Sequence, residues 1–130
     1  MSRLLLPIVY VAGPITTPNP MHNTSVAVRK GNALQRTGVM LPIVPHLTVL
    51  ADMIDPHDYE WYMRYDLALI RRVDALYRLR GESSGADREV AHAKDIGKPV
   101  FFEGEKRLDE GAWHDLLDWC EDWINRENAT

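Results

Sequence analysis

The chain contains one cysteine, Cys120, so no internal disulfide forms and nothing calls for an oxidising compartment. Long apolar runs are also missing. The opening MSRLLLPIVYVAGP carries a single Arg and stops at Gly13-Pro14, short of the roughly 20 residues that span a bilayer. Rich in β-branched residues, it reads as a buried strand rather than a signal peptide. No membrane is expected as a partner, and the cytoplasm is the expected location. A massed basic face is lacking too: 15 Lys and Arg stand against 19 Asp and Glu, a formal charge of −4, and the cations are scattered. Binding to a phosphate backbone needs clustered cations, which argues against a nucleic acid polymer but leaves a single nucleotide open.

Signature motifs are scarce. Neither G-x-G-x-x-G nor G-x-x-x-x-G-K-S/T occurs, which removes the usual dinucleotide and triphosphate fingerprints. His22, His46, His57 and His114 lack zinc-like spacing, and Cys120 has no cysteine partner. Glu89 and His92 make one Glu-x-x-His pair, whereas bundle metal sites need two with further glutamates. No metal and no cofactor are expected.

What is present is an alternation of strand and helix over 130 residues, 45% hydrophobic and 26% charged, a length that suits one domain, 1–130. Pro7–Ala12 reads as a central strand. The following GPITTPNPMH is expected to stay non-helical because of Pro14, Pro18 and Pro20. A helix capped by Asn23 or Thr24 should run to about Thr37, with Gly38 as its stop. Val39–Val44 is a second strand, which Pro42 either places at an edge or stops pairing early. PHLTVLADMIDPHDY suggests only a short helical turn broken by Pro56. Helix is expected from about Asp58 to Val73, then strands at Asp74–Leu79 and Pro99–Phe102. Trp113, Leu116, Leu117, Cys120 and Ile124 repeat at helical spacing in the last segment. Trp119 and Trp123 lie off that stripe, as core packing or as a subunit interface. The pattern implies right-handed crossovers and a parallel sheet, in which ligands gather beyond the carboxyl ends of the strands.

Three residues near those ends can carry chemistry. Glu89 lies in the early turns of a helix opened by SSGAD, where Ser84 and Asp87 form an S-x-x-D cap. It is either a surface glutamate matched to the helix dipole or a carboxylate held ionised for reaction. Asp66 falls within an apolar face formed by Tyr62, Met63, Leu67, Ile70 and Val73. It must pair with a cation such as Arg71, cap a loop, or line a pocket with a shifted pKa. Tyr10, near the end of the first strand, either fills the core or orients a carboxylate through its hydroxyl. Two carboxylates and a phenol beside an anion-receptive helix start suit cleavage at an anomeric carbon. His46, in the loop after the second strand, either lines that pocket or makes a structural hydrogen bond.

In order, YVAGPIT, YMRYDLALIRRVDAL and SSGADREVAHAKDIGKPV resemble the nucleoside 2-deoxyribosyltransferase superfamily. Its small phage and bacterial branch includes deoxynucleoside 5′-monophosphate N-glycosidases. The likeness runs from about Tyr10 to Phe101. It implies an α/β fold, a flavodoxin-like or Rossmann-like parallel sheet of four to five strands with helices on both faces, in homodimers or larger homo-oligomers. It also implies cleavage of the N-glycosidic bond of a (deoxy)nucleoside or nucleoside 5′-monophosphate. Water as acceptor makes a hydrolase, and a second base makes a base-exchange transferase. By position, Glu89 matches the nucleophile that attacks C1′ and forms a glycosyl-enzyme intermediate. Asp66 matches an aspartate that binds the sugar or handles the base's proton, and Tyr10 a tyrosine that steadies the nucleophile. Ser83 and Gly85 match the serine and glycine that receive a 5′-phosphate. Ser84, Gly13, Pro14 and His46, in loops at the same rim, complete the expected substrate-binding set. Asp87-Arg88 stands where that branch tends to have Gly-Tyr, and the loop after Gly13 holds no arginine, so the 5′ end is open between phosphate, bare hydroxyl and another group. The alternative is a non-catalytic nucleotide-binding or sensing module of the same fold.

Overall fold

Strand β1 (Ile8–Ala12) is buried along almost its whole length, and every other layer is arranged around it. The computed structural model describes residues 4–104 and 111–129. After β1 come α1 (Pro20–Arg36), β2 (Leu41–Ile43), a single 3-10 turn (Pro45–Leu47), α2 (Thr48–Ile54) and α3 (Tyr59–Ile70). The chain continues with β3 (Ala75–Arg78), α4 (Ser84–Asp95), β4 (Val100–Phe102) and α5 (Gly111–Glu127). The four strands form one all-parallel sheet in the order β2-β1-β3-β4. This is an α/β, flavodoxin-like or Rossmann-like architecture. Because β1 and β3 are adjacent and central, with Val9 opposite Ala75 and Ala12 opposite Arg78, their carboxyl ends open onto the same side of the molecule.

The alternation of side chains along each strand divides the core into two layers. Val9, Val11, Ala75 and Tyr77 pack with Ala27 and Leu34 of α1 and with Leu116 and Cys120 of α5. Tyr10, Ala12 and Leu76 face the other way, against Ile70 of α3 and Ala86, Val90 and Ala93 of α4. Leu34, Ile70 and Leu116 are fully buried, each contributing about 1.5–3 kcal/mol of transfer free energy. Trp119 packs on the first layer, its ring centroid 6.0 Å from that of Phe101, so core packing accounts for it.

Several boundaries move. The first helix begins at Pro20, not after it, with Asn19 as the cap: its side chain accepts the His22 N–H at 3.0 Å. Proline breaks a helix interior but suits its first position, where no N–H partner is needed and φ is already helical. Asn23 instead ties down the preceding loop, donating to the carbonyls of Ile15 and Thr17 at 3.1 and 3.0 Å. Strand β2 does lie at the sheet edge, as Pro42 implies. Gly31 lets α1 approach the chain after β2: a Cβ there would stand 2.6 Å from Val44 Cγ2. The segment expected to hold one helical turn forms the 3-10 turn and the two-turn α2, which has no buried residue. Among the described residues no helix is long and apolar enough to cross a membrane.

Candidate active site

Helix periodicity turns two carboxylates inward. On α3 the buried positions are Met63, Asp66 and Ile70, and on α4 they are Ala86, Glu89, Val90 and Ala93. Asp66 and Glu89 therefore occupy the same stripes as the apolar residues that dock both helices on the sheet. Asp66 is 2% exposed and Glu89 3%. Between them rises Tyr10, fully buried, whose hydroxyl donates to Glu89 Oε2. The three side chains, drawn from β1, α3 and α4, meet at one point.

Burial dominates their electrostatics. It pushes the Asp66 carboxyl up to about 6, against a smaller opposing pull from Tyr10. It pushes Glu89 up to about 8. The Tyr10 hydrogen bond and the Arg78 charge oppose that rise, while the Asp66 charge adds to it. The Tyr10 phenol is driven far upward by burial first, then by the two carboxylates, so it stays a donor. The expectation that the helix dipole keeps Glu89 ionised is thus corrected. Glu89 is the sixth residue of α4, beyond the first turn where the dipole acts, and desolvation outweighs it. Near neutral pH the carboxylate pair shares one proton. Asp66 Oδ1 is buried without a hydrogen-bond partner, an acceptor held in reserve.

Both carboxylates line a cavity of about 720 Å³, a size suited to a small organic ligand. Gly13, Pro14, Ser83, Ser84 and Gly85 line it as well; Tyr10 stands behind Glu89 and does not. Of the two readings open for His46, substrate contact and structural hydrogen bond, the structure has the second. His46 is fully buried outside the lining, and its Nε2 is hydrogen-bonded to the Pro14 carbonyl at 2.9 Å. Burial lowers its pKa, so neutral His46 shapes the Gly13-Pro14 turn from behind.

The start of α4 is built differently from the sequence reading. Ser83, not Ser84, is the cap: its Oγ accepts the Ala86 N–H at 3.1 Å and its carbonyl accepts the Asp87 N–H at 3.0 Å. Gly85 leaves room for α3, since a Cβ would lie 3.3 Å from the Tyr59 hydroxyl. Gly81 has φ +112, and a Cβ there would meet Pro14 Cγ at 2.9 Å. The loops after β1 and β3 therefore touch only because residue 81 is glycine.

Arg78, the last residue of β3, was not singled out by the sequence. Its guanidinium is nearly buried and donates to the carbonyls of Leu79 and Gly81, the latter at 2.9 Å, and to Asp87 Oδ1 at 3.2 Å. That clasp fixes the Gly81–Ser83 turn and holds Asp87 outside the cavity lining. Arg88 is also occupied: it pairs with Glu60 at 2.7 Å and lies 5.6 Å from the Tyr59 ring centroid.

The lining also includes residues not expected at the site: Thr48, Val49, Asp52 and Met53 of α2, then His57, Tyr59 and Tyr62. Asp52 accepts from the His57 N–H at 3.0 Å and the Tyr62 hydroxyl at 2.7 Å. The His57 ring stacks on Trp61 at 3.9 Å. Among the described residues no group of three His, Cys, Asp or Glu side chains is placed to hold a metal ion. The chemistry available is proton transfer and nucleophilic attack by buried carboxylates.

A family model described as a domain of unknown function, DUF4406, matches residues 7–102. The chain belongs to the DUF4406 family. The matched span contains all four strands together with Tyr10, Asp66, Glu89 and every lining residue, while α5 lies outside it. The DUF4406 region therefore coincides with the cavity-bearing part of the fold. No curated protein is significantly similar to the chain.

Proposed function

We propose that this DUF4406 protein cleaves the N-glycosidic bond of a nucleoside or nucleoside 5′-monophosphate, with Glu89 as nucleophile. The observation that carries the reading is the pair of buried carboxylates, Asp66 and Glu89, meeting the Tyr10 hydroxyl at the wall of a nucleoside-sized cavity. The sequence resemblance to the nucleoside 2-deoxyribosyltransferase superfamily assigns the same three residues.

Burial leaves the proton of the pair mainly on Glu89, and the reactive form is the one in which that proton has passed to Asp66. Glu89 carboxylate attacks C1′, the C1′–N bond breaks, and Asp66 carboxylic acid gives its proton to the departing base. A glycosyl ester on Glu89 results. Asp66, now ionised, takes a proton from water as the water oxygen attacks C1′, releasing the sugar, freeing the Glu89 carboxylate and restoring the Asp66 carboxylic acid. If a second base attacks in place of water, the outcome is base exchange. Tyr10 donates to Glu89 and stabilises its ionised form against the burial that disfavours it. The same reading carries a homodimer or larger assembly in the cytoplasm, for which exposed Leu50, Met53 and Ile54 of α2 supply apolar area.

The test is a screen of deoxynucleosides and their monophosphates for released base, read by chromatography with and without a second free base. Cleavage by the wild-type chain, its loss in Glu89→Ala, and a sugar-mass adduct on Glu89 after quenching are the expected results. Full activity in folded Glu89→Ala removes the mechanism. Binding without any cleavage over long incubation marks a nucleotide sensor instead.

A further inference from the structure

Resting on the function proposed above, we infer that the cavity takes a nucleoside with a free 5′-hydroxyl and discriminates against the 5′-monophosphate. The charges facing the ligand carry this. Asp52, Asp66, Glu82 and Glu89 line the cavity, and among the described lining residues there is no Lys or Arg. Among the described lining residues His57 carries the one imidazole, and its Nε2 faces Asp55 Oδ2 at 3.2 Å.

The arginines flanking the start of α4 in sequence are committed elsewhere, Arg80 through Glu103 Oε1 at 3.0 Å. Arg78 is nearly buried and spends its donors on Leu79, Gly81 and Asp87. Arg88 is held by Glu60 and Tyr59, outside the lining. The helix start itself is already satisfied in part. Ser83 takes up the Ala86 and Asp87 N–H groups, and Asp87 in the first turn offsets the dipole. A dianionic phosphate placed there would face Glu82 with no Lys or Arg among the described lining residues to neutralise it, and juxtaposed like charges oppose binding. A hydroxyl meets no such opposition, because carboxylates accept hydrogen bonds from it. Asp66 Oδ1, buried, unpartnered and on the cavity wall, is one acceptor waiting for a donor on the ligand.

The experiment measures binding of the four common 2′-deoxynucleosides and their 5′-monophosphates to Glu89→Gln by calorimetry, alongside base release by the wild-type chain. Expected is a preference of about 100-fold or more for the nucleoside of the best-bound base over its monophosphate. That ratio should shrink as salt is raised, because screening weakens exposed charges. Glu82 is exposed, so Glu82→Lys should fold, and it should narrow the ratio by about tenfold or more. Monophosphate binding as tight as nucleoside binding, or a ratio untouched by both salt and Glu82→Lys, overturns the inference while leaving the cleavage mechanism standing. Selective nucleoside binding with no base released from any of the eight compounds has the opposite effect: the proposed reaction falls and the selectivity remains. Binding of none of them overturns both.

Discussion

Replacing Glu89 with Gln should make the protein more stable at neutral pH, and the size of the gain can be worked out. In the folded chain burial raises the Glu89 carboxyl from 4.5 to about 8. Between those values the folded state keeps a proton that the unfolded chain has released, so stability falls as pH rises through the window. Integrating that difference gives a cost of about 3 kcal/mol at pH 7 and under about 1 kcal/mol at pH 5. Glutamine has nearly the same shape, still accepts the Tyr10 hydroxyl, and never ionises. Glu89→Gln should therefore raise the melting temperature by about 10 °C at pH 7 and by far less at pH 5. Denaturant titrations of both proteins at the two pH values measure the difference directly. A gain independent of pH, or a loss at both, would refute the claim that a desolvated carboxylate is being held at that position.

Three other outcomes are expected. The pH profile of kcat/KM should be bell-shaped with limbs near 6 and 8. It falls on the acid side when the pair takes a second proton and no nucleophile remains, and on the alkaline side when the last proton is lost and no acid remains; a profile flat from pH 5 to 9 contradicts it. Tyr10→Phe removes a hydrogen bond that holds Glu89 down, so kcat should drop by about 10–100-fold and the alkaline limb should move upward. Gly31→Ala adds a methyl 2.6 Å from Val44 Cγ2, and unfolding titrations should show it destabilised by about 1–2 kcal/mol despite its better helix propensity.

Glu89, near a helix start, reads equally as a surface residue matched to the dipole, and it is the family resemblance that singles it out. Asp66 is visible for a physical reason: it interrupts an apolar stripe at helical spacing, and a carboxylate on a packing face demands an explanation. The strands are equally readable, since a strand covered on both faces leaves a continuous apolar run. The start of α1 is not, because proline's prohibition applies inside a helix and lapses at its first position. Arg78 leaves no trace in the sequence: two of its partners are main-chain carbonyls, which look the same whatever residue supplies them. Helix α2 is hidden for the opposite reason. It has no fully buried residue, so no apolar period marks it, and Asp52 goes unnoticed with it.

That last helix also bears on how such a protein diverges. The side of the cavity formed by β1, α3 and α4 is welded to the core, so any change there is paid for in folding. The opposite side is formed in part by α2, which has no fully buried residue. Mutations can accumulate along it and alter what is admitted, while the reacting groups stay where they are. Ligand choice and structural integrity are thus encoded in different parts of one small chain.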